Sequence, residues 1–252
     1  MNTASSVSTF QQVETPKTNA GSAHGIWEPL DLLAEESASL AKWRSFAVDG
    51  HVIPSYVFIG PRGGSVPIRL ALLGGFGAED FVSTGAIAKL LVELDLAPLL
   101  AQDFALFSYP VANPDRVSSR SPNFSTGFWT GAPNATIRYL EREFAGNHPD
   151  GIIAAKGNEA ISGFQMQVSS KLIANEVLWP ALEIVQRLVP LANEPVQIFP
   201  QLQISQLGPA SFSLIIRTPG HVSSENQISA IAFSVKQILR HYRALVSYGD
   251  EL

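Results

Sequence analysis

Apolar positions along the chain fall into alternating short runs and longer periodic stretches. Residues 28–42 carry Leu30, Leu32, Leu33, Leu40 and Ala41 around acidic positions and predict a short amphipathic helix. Residues 43–48 and 55–60 flank the turn signal Asp49-Gly50 and predict a hairpin, with Gly60-Pro-Arg-Gly-Gly64 as a second turn. Residues 68–73 and 104–109 are mostly apolar, interrupted by Arg69 and Ser108, and are predicted as buried strands. Between them, residues 79–101 place Val82, Ala86, Leu90, Leu91 and Leu94 on one helical face. A helix is predicted over 134–146, a short buried strand over Gly151–Ala155, and a helix over 171–188 with a kink at Pro180. Strands are predicted at 196–205 and 211–216. The last helix, over 223–247, opens with Ser224 and Gln227 in a capping pattern.

Strands alternating with helices define an α/β fold. We expect a single domain with a central mixed, mostly parallel, twisted sheet and helices on both faces, spanning residues 26–252. Residues 1–25 are rich in Ser, Thr, Asn, Gln and Gly and read as a flexible tail. The segment 117–132 is full of Ser, Gly, Asn and Pro, and a loop of that length is usually functional or mobile.

Composition narrows the chemistry. Of 252 residues, 46% are hydrophobic and 15% charged, which favours a large core over disorder. A net charge of -5 argues against nucleic-acid binding, which needs a basic stripe. No apolar run is long enough to span a bilayer, and the N-terminus lacks the pattern of a secretory signal; a cytoplasmic location is expected. The absence of cysteine excludes thiol catalysis, disulfides and Cys-ligated metals. The histidines His24, His51, His148, His221 and His241 form no metal-ligand spacing. Gly75-Phe-Gly77 is only a partial dinucleotide fingerprint, lacking the third glycine and the ribose-binding acid.

Ligands of open α/β sheets bind beyond the carboxyl ends of the strands. Those ends gather Glu79 and Asp80; Asn113, Asp115, Arg116 and Arg120; Lys156, Asn158 and Glu159; and Arg217. This concentration of charge at one edge of an apolar sheet is the candidate site.

The segments carrying these residues resemble those of the zinc carboxypeptidases. The run Ile68-Arg-Leu-Ala-Leu-Leu-Gly-Gly-Phe-Gly-Ala-Glu-Asp80 resembles the family's first metal-binding motif, with Glu79 at the Glu ligand and Phe76 at the His. Asn113-Pro114-Asp115 resembles the segment whose Asp orients that His, and Arg120 sits where the family polarises the scissile carbonyl. Asp150-Gly-Ile-Ile-Ala-Ala-Lys156 resembles the strand ending in the second His ligand, and Leu214-Ile-Ile-Arg217 the strand ending in the catalytic Glu. The segment that would grip a substrate's terminal carboxylate is replaced by Phe128-Trp-Thr-Gly131-Ala132.

The resemblance therefore implies a metallocarboxypeptidase-like fold, shared with the succinylglutamate desuccinylase–aspartoacylase group, with a degenerate metal site. No metal and no other cofactor is expected. A zinc-free homologue results, with Glu79, Asp115, Arg120, Lys156 and Arg217 as binding residues for a small anionic ligand such as a carboxylate, or for a protein partner. Lys156 is expected to set its ammonium near the absent metal and pair with Glu79, a contact whose loss would cost roughly 3–5 kcal/mol. Arg217 could add a contact to Glu79 or Asp115. The alternative is a metal-dependent carboxypeptidase or amidohydrolase using Glu79, Asp115 and a distant His, with zinc as cofactor. A purely structural role would use an apolar contact, for which Phe124, Phe128 and Trp129 are candidates.

Overall fold

The computed structural model describes residues 24–48, 51–62, 67–76, 80–112, 135–199 and 211–249. Its elements run α1 (His24–Glu36), β1 (Leu40–Val48), β2 (His51–Ile59), β3 (Ile68–Leu73), α2 (Phe81–Leu96), a 3-10 turn (Pro98–Ala101) and β4 (Phe104–Tyr109). There follow α3 (Ala135–Asn147), β5 (Gly151–Glu159), β6 (Phe164–Val168), α4 (Lys171–Ile173), a π-helical stretch (Ala174–Leu178), α5 (Trp179–Val185), β7 (Leu191–Ile198), β8 (Phe212–Pro219) and α6 (Ser224–Gly249).

All eight strands form one mixed sheet in the order β1-β2-β4-β3-β5-β8-β6-β7. β3 pairs in parallel with β4 and β5, β5 with β8, and β6 with β7; the pairs β1–β2, β2–β4 and β6–β8 are antiparallel. The expected single α/β domain is what forms.

Alternation along the central strands divides the core between two faces. Leu70, Leu72, Ile153, Leu214 and Ile216 join α2, α6 and α5 on one face. Ala71, Leu73, Ile152, Ala154 and Ile215 meet α3 on the other, with Tyr139, Leu140 and Phe144. Tyr139 also stacks on Phe46 at 4.2 Å between ring centroids, which ties α3 to the hairpin. Both faces being covered explains why β3, β4 and the start of β5 lack polar alternation.

Four readings are corrected. The first helix stops before residue 37: Ser37 Oγ accepts the N–H groups of Ser39 and Leu40, turning the chain so that Leu40 and Ala41 begin β1. Phe164–Val168 is a strand absent from the predicted elements; Phe164, Met166 and Val168 face the core while Gln165 and Gln167 point the other way. The strand expected at 196–205 starts earlier, at Leu191, and tolerates Pro195 because β7 is a sheet edge. Within 171–188 the irregularity is the π-helical stretch Ala174–Leu178, which continues directly into α5 just before Pro180, whose ring nitrogen cannot donate to the preceding turn.

Candidate functional site

The site lies where β3, β5 and β8 end side by side. After Leu73 the chain leaves β3 through Gly74 and Gly75, where Gly74 N–H donates to Tyr109 O at 3.0 Å and Ala112 N–H to Gly74 O at 2.7 Å. Gly75 has φ 61°, and a Cβ there would lie 2.6 Å from Pro110 O, so only glycine fits. Phe76 follows, 5% exposed, its ring in the apolar cluster on the α3 side together with Leu73, Tyr109 and Ala112.

Asp80 caps α2 and joins the strand ends. Its carboxylate accepts Ser83 N–H at 3.2 Å, Ser83 Oγ–H at 2.6 Å and Gly157 N–H, just past Lys156, at 3.1 Å, as well as the backbone N–H of Phe76. Burial is the larger effect and pushes the Asp80 carboxyl up to about 6, against those hydrogen bonds, which pull it down.

Lys156 and Arg217 are register partners on the parallel strands β5 and β8, so their side chains leave the same face of the sheet. Both reach Glu159: Lys156 Nζ lies 2.9 Å from Oε1 and Arg217 Nη2 2.7 Å from Oε2. The three side chains are 19%, 23% and 12% exposed, dry enough for the pairs to count and open enough for solvent to reach them. Arg217 Nη1 also donates to Gln165 Oε1 at 3.2 Å, across to β6.

Glu159 reaches back because β5 bulges. The β5–β8 register shifts between Lys156 and Glu159, and Asn158 takes φ 54°. Gln227, fully buried in the first turn of α6, holds that bulge. Its carbonyl accepts Asn158 N–H at 2.9 Å and the Thr218 hydroxyl at 2.7 Å, and its amide donates to Asn158 Oδ1 at 3.0 Å and Val222 O at 2.7 Å.

Of the residues expected at the site, the structure brings Phe76, Lys156 and Arg217 to adjoining strand ends. Glu79, Asp115 and Arg120 lie outside the described residues, as does the loop 117–132 with Phe124, Phe128 and Trp129; so the pairing of Lys156 with Glu79, and of Arg217 with Glu79 or Asp115, falls there too. Glu159 takes the role of carboxylate partner to both cations. Sequence reasoning placed Glu159 at the strand end but gave it no partner, and took Gln227 for a capping residue. Instead Ser223 caps α6, its Oγ accepting Asn226 N–H at 3.4 Å, and Gln227 turns inward. Gln165 was missed with its strand, although the alternation Phe-Gln-Met-Gln-Val signals it.

Comparison with solved structures gives the fold its class. No protein-family model matches the chain, and no curated protein sequence matches it. A candidate metallopeptidase from Shewanella denitrificans OS217 superposes with a TM-score of 0.66 at 16% identity, covering 87% of this chain and 88% of that one. Another from Shewanella amazonensis SB2B gives 0.67 at 16% identity, over 86% of this chain and 91% of its own. The metallo-carboxypeptidase of Burkholderia cenocepacia gives 0.60 at 13% identity, over 88% and 68%. The chain has the zinc-carboxypeptidase-like fold.

A catalytic zinc needs three nitrogen, oxygen or sulfur donors and an open position. At the positions that the resemblance assigns to the two His ligands, Phe76 has no donor atom and is part of the core, and Lys156 presents an ammonium held by Glu159. At the position of the catalytic Glu stands a guanidinium, which cannot accept a proton. These residues do not fit zinc. Among the described residues no three His, Cys, Asp or Glu side chains gather as a metal site, and no helix is long and apolar enough to cross a membrane.

Proposed function

We propose that this protein is a zinc-free carboxypeptidase homologue without peptidase activity, and that its site binds a small carboxylate ligand. The observation that carries this reading is the grip of Lys156 and Arg217 on the two oxygens of one carboxylate, at 2.9 and 2.7 Å. Two cations spaced to share a carboxylate, at strand ends where α/β sheets receive ligands, form an anion receptor. On this reading the receptor stands at the positions that correspond, by the resemblance, to a peptidase's metal ligand and general base. A cation fixed in the fold thus replaces a bound cation, and water activation is lost while attraction for negative charge is kept.

Metal content and melting temperature of the full chain test the reading together. After incubation with zinc the protein should hold far less than one equivalent, with no change in melting temperature. Small carboxylates such as succinate should raise the melting temperature in a concentration-dependent way. One equivalent of zinc, with hydrolysis of peptides or acyl-amino acids, would overturn the proposal.

A further inference from the structure

We infer that Glu159 is a built-in occupant of the anion site: its carboxylate sits where a ligand's carboxylate binds, and it must swing away before ligand is held. The inference rests on the anion-binding reading above and adds the ligand's competitor to it.

Three features of the chain lead here. The first is geometric. Three residues along a regular strand span about 10 Å and put the side chains of i and i+3 on opposite faces. Lys156 and Glu159 meet only because the bulge and the left-handed Asn158 reverse that. The second is the division between fixed and movable parts. The Glu159 backbone is held, its carbonyl accepting Gly220 N–H and Ile161 N–H, both at 2.9 Å, and Gln227 fixes Asn158 beside it. Among the described residues, the Glu159 carboxylate is held by the two cations alone. Rotation about its side-chain bonds vacates the site without disturbing the backbone.

The third is that the receptor keeps its shape when Glu159 leaves. Arg217 stays oriented by Gln165 Oε1, and Gln165 is itself held by its amide donating to Glu194 O at 3.4 Å and by Gln167 Nε2 donating to Oε1 at 3.5 Å. An external carboxylate therefore meets a preformed guanidinium but competes with a tethered carboxylate at high local concentration. Its apparent affinity is reduced by the fraction of molecules in which Glu159 has moved away.

Calorimetric titration of succinate into the full chain tests this, using the wild type, Glu159→Gln, and the double variant Glu159→Gln with Lys156→Met. The Gln side chain keeps size and loses charge, so succinate should bind about tenfold or more tighter than to wild type, and the double variant should lose the gain. Binding to Glu159→Gln that is equal to or weaker than wild type overturns the inference and leaves the anion site standing. Absence of succinate binding in both overturns the anion-binding reading and the inference with it. Because the single variant removes a partner of two part-buried cations, a wild-type arm is included: a crystal structure in saturating succinate. A succinate carboxylate between Lys156 and Arg217 with Glu159 turned out supports the inference. Succinate bound elsewhere, or with Glu159 still bridging, overturns it.

Discussion

Gln227 holds Asn158 from both ends of one carboxamide: its oxygen accepts the Asn158 backbone N–H at 2.9 Å and its nitrogen donates to Asn158 Oδ1 at 3.0 Å. With Thr218 and Val222 as the remaining partners, both lone pairs and both N–H groups of Gln227 are used. The first turn of α6 is thereby fastened to the bulge that sets Glu159.

Replacing Gln227 by Leu keeps volume and removes the acceptor of the Asn158 N–H, at an exposed residue, and of the buried Thr218 hydroxyl, which retains only Lys156 O at 3.5 Å. The stability of the chain should fall by roughly 1–3 kcal/mol, the cost of about one unsatisfied buried polar group. Urea unfolding of the variant measures this; a loss below 1 kcal/mol would show that water replaces the carboxamide. At Asn158 itself, Ala should destabilise more than Gly, because φ 54° disfavours a side chain that cannot bond locally.

The shared carboxylate makes the two ion pairs unequal in their consequences. Glu159→Gln leaves Lys156 and Arg217 facing each other, whereas Lys156→Met leaves the Arg217–Glu159 pair intact. We expect a loss of roughly 2–3 kcal/mol for the first and about 1 kcal/mol for the second, both below the value for fully buried pairs because the groups retain some solvent contact. In a double-mutant cycle the two losses should not add, and full additivity would show that the bridge is not formed in solution.

Asp80 gives stability a pH dependence of known sign. Its carboxyl is raised from 3.8 to about 6 in the fold, so between about pH 4 and 6 the folded chain keeps a proton that the unfolded chain has released. The stabilisation from this group is full below about pH 4 and is lost as the pH rises through about 6, a change on the order of 3 kcal/mol. Asp80→Asn removes the titration while keeping an oxygen for the N–H groups of Ser83 and Gly157. Wild-type stability measured relative to this variant should therefore fall between pH 4 and 7. A constant difference would place the Asp80 titration outside that window.

At Gly157 the strand β5 passes close against Val82 of α2. A Cβ there would lie 2.3 Å from Val82 Cβ and 3.2 Å from Asp80 Oδ1. Gly157→Ala should cost at least about 1–3 kcal/mol by overpacking, and it should also weaken any ligand binding at Lys156 by displacing the strand end. Thermal unfolding and succinate titration of the same variant check both; an unchanged melting temperature would mean that α2 can move aside.

Much of the fold was legible along the chain. The strands Ile68–Leu73 and Phe104–Tyr109 coincide with their predicted spans, because strands covered on both faces carry few polar positions, here Arg69 and Ser108. Helices α3 and α6 follow their periodic stretches within two residues, whereas α2 stops at Leu96, five residues before the predicted end, because Pro98 follows and begins a 3-10 turn. Phe164–Val168 was legible too, and the period-two alternation passes unnoticed only because the run is short. The helix end at Ser37 and the inward turn of Gln227 escape the local pattern for a common reason: a hydroxyl or carboxamide near a helix end can serve several partners, and the neighbouring elements choose among them.

By itself, then, the sequence determined the α/β class, the strand ends at which charge collects, and the presence there of Phe76, Lys156 and Arg217. Local apolar period and residue chemistry suffice for these. Only the tertiary structure decided how those charges are matched. Lys156 and Arg217 are 61 positions apart in the chain and become neighbours through the parallel pairing of β5 with β8. Glu159 joins them because a bulge, fixed from α6, turns its side chain to their face. Pairing energies depend on separation in space, and the separation was set by sheet order, register and one left-handed residue, none of which has a signature in the local pattern.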